Sequence, residues 1–272
     1  MVRQYILLVG QLQMSNLQTL IYSIETLSEL KWGLRVPTLS YKAVPEDIKL
    51  KTSSEGFVPV ESNYPYVWNT PDDQRLGSCV ANSTTGIIES WIFRSFGKRV
   101  QLDYEKLYWL ARDKFYHNRE DDGLMPDEAF KTARLPSVKL LPEDTKLVYI
   151  GLDIDSICKA MSIGPVLLAS SVHDGWRPKF LNKDNGAINE RKDKGLERYT
   201  NGHATMGVGT NVHNNVQLIV GKNSWGPLGQ GGSGLYCETV KHFFKWAMAK
   251  PILWVPGDSW DSWRGWEKYV VK

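Results

Sequence analysis

Three short blocks hold residue types that can carry out nucleophilic chemistry, and they occur in a fixed order. The first is Gly77-Ser78-Cys79-Val80-Ala81-Asn82, at the start of an apolar helical pattern. A thiol in the first turn of a helix feels the positive end of the macrodipole and the amide N–H groups there. Both favour the thiolate, the nucleophilic form of cysteine. Alone, a cysteine at an apolar helix start is most often an inert core residue. The second block is Asn201-Gly202-His203-Ala204, leading into a strand pattern. Of the five histidines, His203 alone has a small residue on each side and a strand after it, which leaves room for a partner at its ring. The third is Gly221-Lys222-Asn223-Ser224-Trp225-Gly226. Asn223, at a strand end, could accept a ring N–H of a histidine and so fix its tautomer and orientation. Trp225 could shield that bond from water, or simply fill the core beside a glycine-rich turn.

These blocks need elements to position them. Ser78 to Phe96 is apolar over much of its circumference, through Val80, Thr84, Ile87 and Trp91 with Ala81, Ile88 and Ile92 beside them. That pattern predicts a central buried helix, with Ser78 as N-cap and Gly97 just past the end. Further helices are expected over Asp103–Tyr116, Pro126–Ala133 and Asp153–Ser162, the last ended by Gly164-Pro165. The period then changes. Val166–Val172, Ala204–Thr210, Val216–Asn223 and Gly234–Val240 read as strands bounded by Gly, Asn and Pro. Helices first and strands second imply an α+β protein with a helical lobe and a β lobe. Before them, Gln11–Lys31 carries an amphipathic stripe with a Ser15/Gln18 capping box. Prolines 37, 45, 59, 65 and 71 then suit an extended arm. The expected division is 1–57 as helix and arm, 58–255 as the main domain and 256–272 as a Trp-rich tail. Within the main domain the helical lobe is placed at about 72–152 and the β lobe at about 153–255.

Composition narrows the options. A chain of 272 residues with 42% hydrophobic and 23% charged residues has the material for a folded core. A net charge of +3 is too small a bias to point to nucleic acid or a membrane surface. No stretch has the length of a membrane span, and the start lacks the order of a secretory signal. Cys79, Cys158 and Cys237 are odd in number and widely spaced, which fits neither a disulfide framework nor a zinc site. The expected setting is therefore reducing: cytoplasmic or virion-associated.

Taken together, the blocks resemble those of the papain-like (C1) cysteine peptidases. Gln74 with Gly77-Ser78-Cys79 resembles that family's oxyanion glutamine and nucleophile block, Gly202-His203-Ala204 its histidine block, and Lys222-Asn223-Ser224-Trp225-Gly226 its asparagine block. The separations, 124 residues from Cys79 to His203 and 20 from His203 to Asn223, are similar as well. Asp122-Gly123 resembles the glycine-containing wall of the substrate cleft, and Ile163-Gly164-Pro165-Val166 the entry to the β lobe. Leu76–Asn82 looks closer to bacterial and phage-encoded members. Two departures stand out. Val80 replaces the usual aromatic residue after the nucleophile. Gln74 lies five residues before Cys79, where the family has six, so without a gap Asp73 would take its place. A carboxylate there has the wrong sign for a developing oxyanion.

The resemblance implies a papain-like two-lobed fold and a thiol peptidase. Cys79 would attack the peptide carbonyl, His203 would exchange the proton, Asn223 would orient His203, and Gln74 would help hold the oxyanion. Gly123 and Trp225 would border the bound polypeptide, and neither metal nor organic cofactor is called for. Two rival readings share these residues. One is an acyltransferase or amidase on the same scaffold. The other is a papain-like domain kept as a structural or binding part of a larger assembly, for example a virion. In the C-terminal segment, Trp254, Trp260, Trp263 and Trp266 either cover apolar surface or, like the N-terminal helix, dock a protein partner.

Overall fold

The computed structural model describes Gln74 and residues 76–172, 174–176, 188, 190, 202–226 and 234–271. The expected N-terminal helix and arm, residues 182–201 apart from Ile188 and Glu190, Asp73 and His173 lie outside the described residues. Three helices come first: α1 (Cys79–Phe96), α2 (Tyr104–Tyr116) and α3 (Glu128–Ala133). They are followed by β1 (Lys146–Tyr149), α4 (Ile154–Ile163) and β2 (Val166–Ser171). The chain continues through β3 (Gly202–His213), β4 (Val216–Lys222), β5 (Leu235–Thr239), α5 (Val240–Trp246) and β6 (Ile252–Val255). Two short 3₁₀ turns, Trp260–Ser262 and Gly265–Tyr269, end it.

Local chemistry sets the helix limits. The Asp103 and Asp153 carboxylates accept the backbone N–H of Lys106 and Ser156, both at 2.8 Å, and so start α2 and α4. The strand expected through Val240 stops at Thr239 because Thr239 caps α5, accepting the His242 N–H at 3.1 Å. Gly97 ends α1 in the left-handed region at φ 65°, and its N–H returns to Phe93 O.

The six strands form one sheet in the order β1-β6-β2-β3-β4-β5, with antiparallel pairing throughout. Strands β1 and β6 were not anticipated from the sequence. The sheet thus begins at Lys146, inside the stretch assigned to the helical lobe, and the helical run ends at Ala133. Every residue of β2 is buried, since both faces of the sheet are covered. Leu167, Ala169, Ala204, Met206, Val208, Ile252 and Trp254 join the core built on α1. Val166, Leu168, Ile219 and Leu253 face α4 and α5. This is the two-residue alternation of a strand, used on two cores at once.

The Trp-rich segment closes the first core. Val271 N–H bonds Gln101 O at 2.8 Å, and Asp103 N–H bonds Tyr269 O at 2.9 Å. Trp260 lies 5.5 Å from Phe96 and 4.9 Å from Trp254 between ring centroids, and its Nε1–H donates to Ser95 Oγ at 2.9 Å. Trp254, Trp260 and Trp266 are buried, which accords with the reading of a segment covering apolar surface. Their rings are not presented for docking. Removing Trp260 (Trp260→Ala) is expected to cost about 3–5 kcal/mol, read from urea unfolding midpoints. A cost below about 1 kcal/mol would mean that the segment is not part of the core.

Candidate active site

The site forms where the first turn of α1 meets the start of β3. Cys79 is fully buried at the first position of α1, and α1 packs directly on β2 and β3. Ser78 occupies the N-cap position, but its side chain makes no capping bond, and no acidic residue stands in the first turn. The positive end of the helix favours a thiolate at this position. Across the junction, Ala204 N–H donates to Cys79 Sγ at 3.3 Å. Hydrogen bonding to sulfur favours its charged form.

The sheet register brings His203 and Asn223 together. Met206 pairs with Lys222, so extending the ladder by one residue sets Thr205 opposite Asn223. His203, two residues from Thr205, is then the diagonal same-face neighbour of Asn223. His203 Nε2 lies 2.8 Å from Asn223 Oδ1. That oxygen also accepts Ser224 N–H at 2.8 Å, so the amide presents its carbonyl to both groups and the imidazole must carry its proton on Nε2. Nδ1 is then the basic nitrogen. Trp225 stacks on the ring at 4.3 Å between centroids, 27° from parallel, and Trp176 meets its edge at 6.1 Å. Together with Val172, Ile188 and Tyr236 these indoles form a small separate cluster.

Gln74 is buried beside the asparagine block. Its N–H donates to Ser224 O at 2.9 Å, its Oε1 accepts from Ser224 Oγ at 2.6 Å, and its Nε2 donates to Leu76 O at 2.6 Å. The amide nitrogen carries two hydrogens, so one such bond does not exhaust it. Gly123 adopts φ 80°, a left-handed conformation that favours glycine. Its N–H donates to Tyr108 Oη at 3.2 Å, and its carbonyl accepts from Arg112 Nη1 at 3.0 Å. Both its N–H and its carbonyl are thus engaged by side chains of α2.

The sequence did not single out Trp176, Ser224, Tyr108, Arg112 or Asp121. For Ser224 the signal was adjacency to Asn223. For the others it was absent, because their contacts span many residues. His213, near a strand end like His203, sits at the exposed end of β3 with Asn214 against its ring.

Burial shifts Cys158, Cys237 and His203. Burial pushes the Cys158 thiol up, and Cys158 lies against Thr210 in the core facing α4. Cys237 is pushed up to about 11 by burial and by the neighbouring Glu238 carboxylate. Burial lowers His203 to about 4, opposed in part by its bond to Asn223. An imidazole so depressed is neutral at pH 7 unless a negative charge faces it.

No protein-family model matches the chain. Human cathepsin L2 is 26% identical over 200 residues, covering 65% of this chain, and the chain spans 58% of that protein's length. The structure of procathepsin L2 proteinase from Tenebrio molitor larval midgut superposes with a TM-score of 0.61 at 18% identity, over 88% of this chain and 84% of that one. Xylellain, a cysteine protease from Xylella fastidiosa, gives 0.55 at 15% identity, over 88% and 96%. The chain has the papain-like fold.

The depressed His203 has a pH consequence. Without a facing thiolate, as in Cys79→Ala, the folded chain binds fewer protons at His203 between pH 6.5 and about 4 than the unfolded chain does. This contribution to stability is complete above pH 6.5 and is lost as pH falls through about 4, roughly 3 kcal/mol in all. Replacing the thiol (Cys79→Ala) removes the compensating charge, and the imidazole ¹⁵N shifts of that variant are expected to report neutral His203 at pH 5.5. A midpoint at or above 6.5 would contradict the burial argument.

Proposed function

We propose that this chain is a cysteine peptidase that hydrolyses peptide bonds through a Cys79 thiolate and a His203 imidazolium. The observation that carries the reading is one junction: Ala204 N–H on Cys79 Sγ at 3.3 Å, beside His203 held to Asn223 at 2.8 Å. A nucleophile at a helix N-terminus, a base and an orienting amide are the parts that acyl transfer through sulfur requires. The fold shared with proteins described as cathepsins and cysteine proteases supports the same reading. The block Leu76–Asn82, with Val80 after the thiol, supports a place nearer the bacterial and phage-encoded members.

The sulfur of Cys79 attacks the carbonyl carbon, and the electron pair moves to the carbonyl oxygen. Cys79 N–H and Gln74 Nε2 donate to that oxygen; one such donor is worth about 3 kcal/mol. The proton on His203 Nδ1 passes to the amine nitrogen, the C–N bond breaks, and a thioester remains. Nδ1 then takes a proton from water, whose oxygen attacks the thioester and releases the acid and the thiolate. Asn223 keeps the second ring nitrogen in place, and Trp225 keeps water from that bond.

The test is turnover of fluorogenic peptides with mixed sequences. Cys79→Ala is expected to lower kcat/KM by about 10⁴-fold or more, and Gln74→Ala to lower kcat by roughly 10²-fold with KM little changed. Unchanged cleavage in Cys79→Ala would refute the proposal. A wild-type chain that folds yet cleaves no peptide would favour the scaffold reading.

A further inference from the structure

We infer that Asp121 is a positioning residue that ties the turn leading into the nucleophile helix to the wall of the substrate cleft; the inference rests on the peptidase reading above. A single carboxylate oxygen makes the tie. Asp121 Oδ1 accepts Gly77 N–H at 2.7 Å, 44 residues away in sequence, and accepts Tyr108 Oη–H at 2.8 Å. The Tyr108 oxygen in turn accepts Gly123 N–H at 3.2 Å. Hydrogen bonds therefore run from Gly123 through Tyr108 to Asp121, and from Gly77 to the same atom.

The polarity of this relay needs an acceptor at its root. Gly77 N–H can only donate, and the Tyr108 hydroxyl has its oxygen occupied by Gly123, so it donates onward. A carboxylate is acceptor-only and carries the charge that strengthens both bonds. Burial and the Asp121 carboxylate both raise the Tyr108 hydroxyl, which keeps it a donor at any working pH. Arg112, fully buried, braces the wall from the other side through Gly123 O and, at 3.6 Å, Asp122.

The position of Gly77 gives the relay its consequence. Gly77 lies between Gln74 and Cys79, the two residues that supply the proposed oxyanion donors. Fixing Gly77 fixes the path between them, and small errors in such a path are costly to turnover. No covalent link does this work, since none of the three cysteines forms a disulfide. The Ser78 hydroxyl, next in the chain, makes no hydrogen bond among the described residues. Among the described residues, Asp121 supplies the long-range side-chain contact to Gly77.

Three variants of the full chain test this. Asp121→Ala is expected to lower kcat for a fluorogenic peptide by about 10- to 100-fold, while alkylation of Cys79 by iodoacetamide changes less than about threefold. Asp121→Asn keeps an acceptor oxygen and is expected to recover kcat to within about tenfold of wild type. Tyr108→Phe cuts only the arm to Gly123, so KM is expected to rise several-fold with kcat held within about threefold. Amide exchange at Gly77 and Gly123 should speed up together in Asp121→Ala and recover in Asp121→Asn. Wild-type kinetics and unchanged exchange in Asp121→Ala would overturn the inference. So would parallel loss of turnover and alkylation with no recovery in Asp121→Asn, the mark of a merely structural role. A wild-type chain that neither cleaves peptide nor alkylates at Cys79 would sink the peptidase reading instead. The two exchange rates would still decide whether the tie exists.

Discussion

The contact between the first turn of α1 and the start of β3 is the constraint on which the rest depends. Cys79 is placed by a helix and His203 by a strand, and nothing in the chain between them is local to both. What joins them is burial. α1 is apolar over most of its surface, so it must be covered, and the face of the sheet made by Ala204, Met206 and Val208 covers it. That packing brings the Ala204 N–H onto the Cys79 sulfur. The β3–β4 ladder then adds Asn223 by register, one residue beyond the last pair. β1, β6 and the Trp-rich segment close the same core and hold α1 against the sheet.

Electrostatics turns this geometry into chemistry. Taking His203 out of water lowers its pKa, and the bond from Asn223 restores only part of the loss. A buried imidazolium therefore needs a counter-charge, and a thiolate at the positive end of α1 is suited to supply it. Each charged form is costly to bury alone, and each offsets that cost for the other. The remaining thiols have no such arrangement. Cys158 and Cys237 are both pushed up by burial, Cys237 further by Glu238. The indoles of Trp176 and Trp225 keep water from the ring, which strengthens every charge interaction there.

Much of this was legible in the sequence, and the reasons are specific. α1 announced itself by an apolar circumference ended by Gly97, and α4 by the Gly164-Pro165 stop after it. β2 to β5 were legible because turn residues bound each of them. The three blocks around Cys79, His203 and Asn223 carried their chemistry in residue type and order alone. By contrast, β1 and β6 are four-residue strands whose pairing spans about a hundred residues, and no local pattern encodes such a partner. Tyr108, Arg112 and Asp121 were illegible for the same reason. An aspartate in an acidic run reads as solvated surface until Gly77 is placed against it. Gln74 illustrates the middle case: its type suggested an oxyanion donor, but only the bonds to Ser224 and Leu76 show where its amide sits.

The central claim is that Cys79 and His203 form an activated pair while the other two thiols stay inert. Intact mass and peptide mapping after brief exposure to limiting iodoacetamide at pH 6 tests it most directly, because an ordinary thiol with pKa near 8.5 is almost wholly protonated there. The account predicts fast addition of a single label at Cys79, lost in His203→Ala. Slow labelling, or labelling spread equally over Cys79, Cys158 and Cys237, would contradict it.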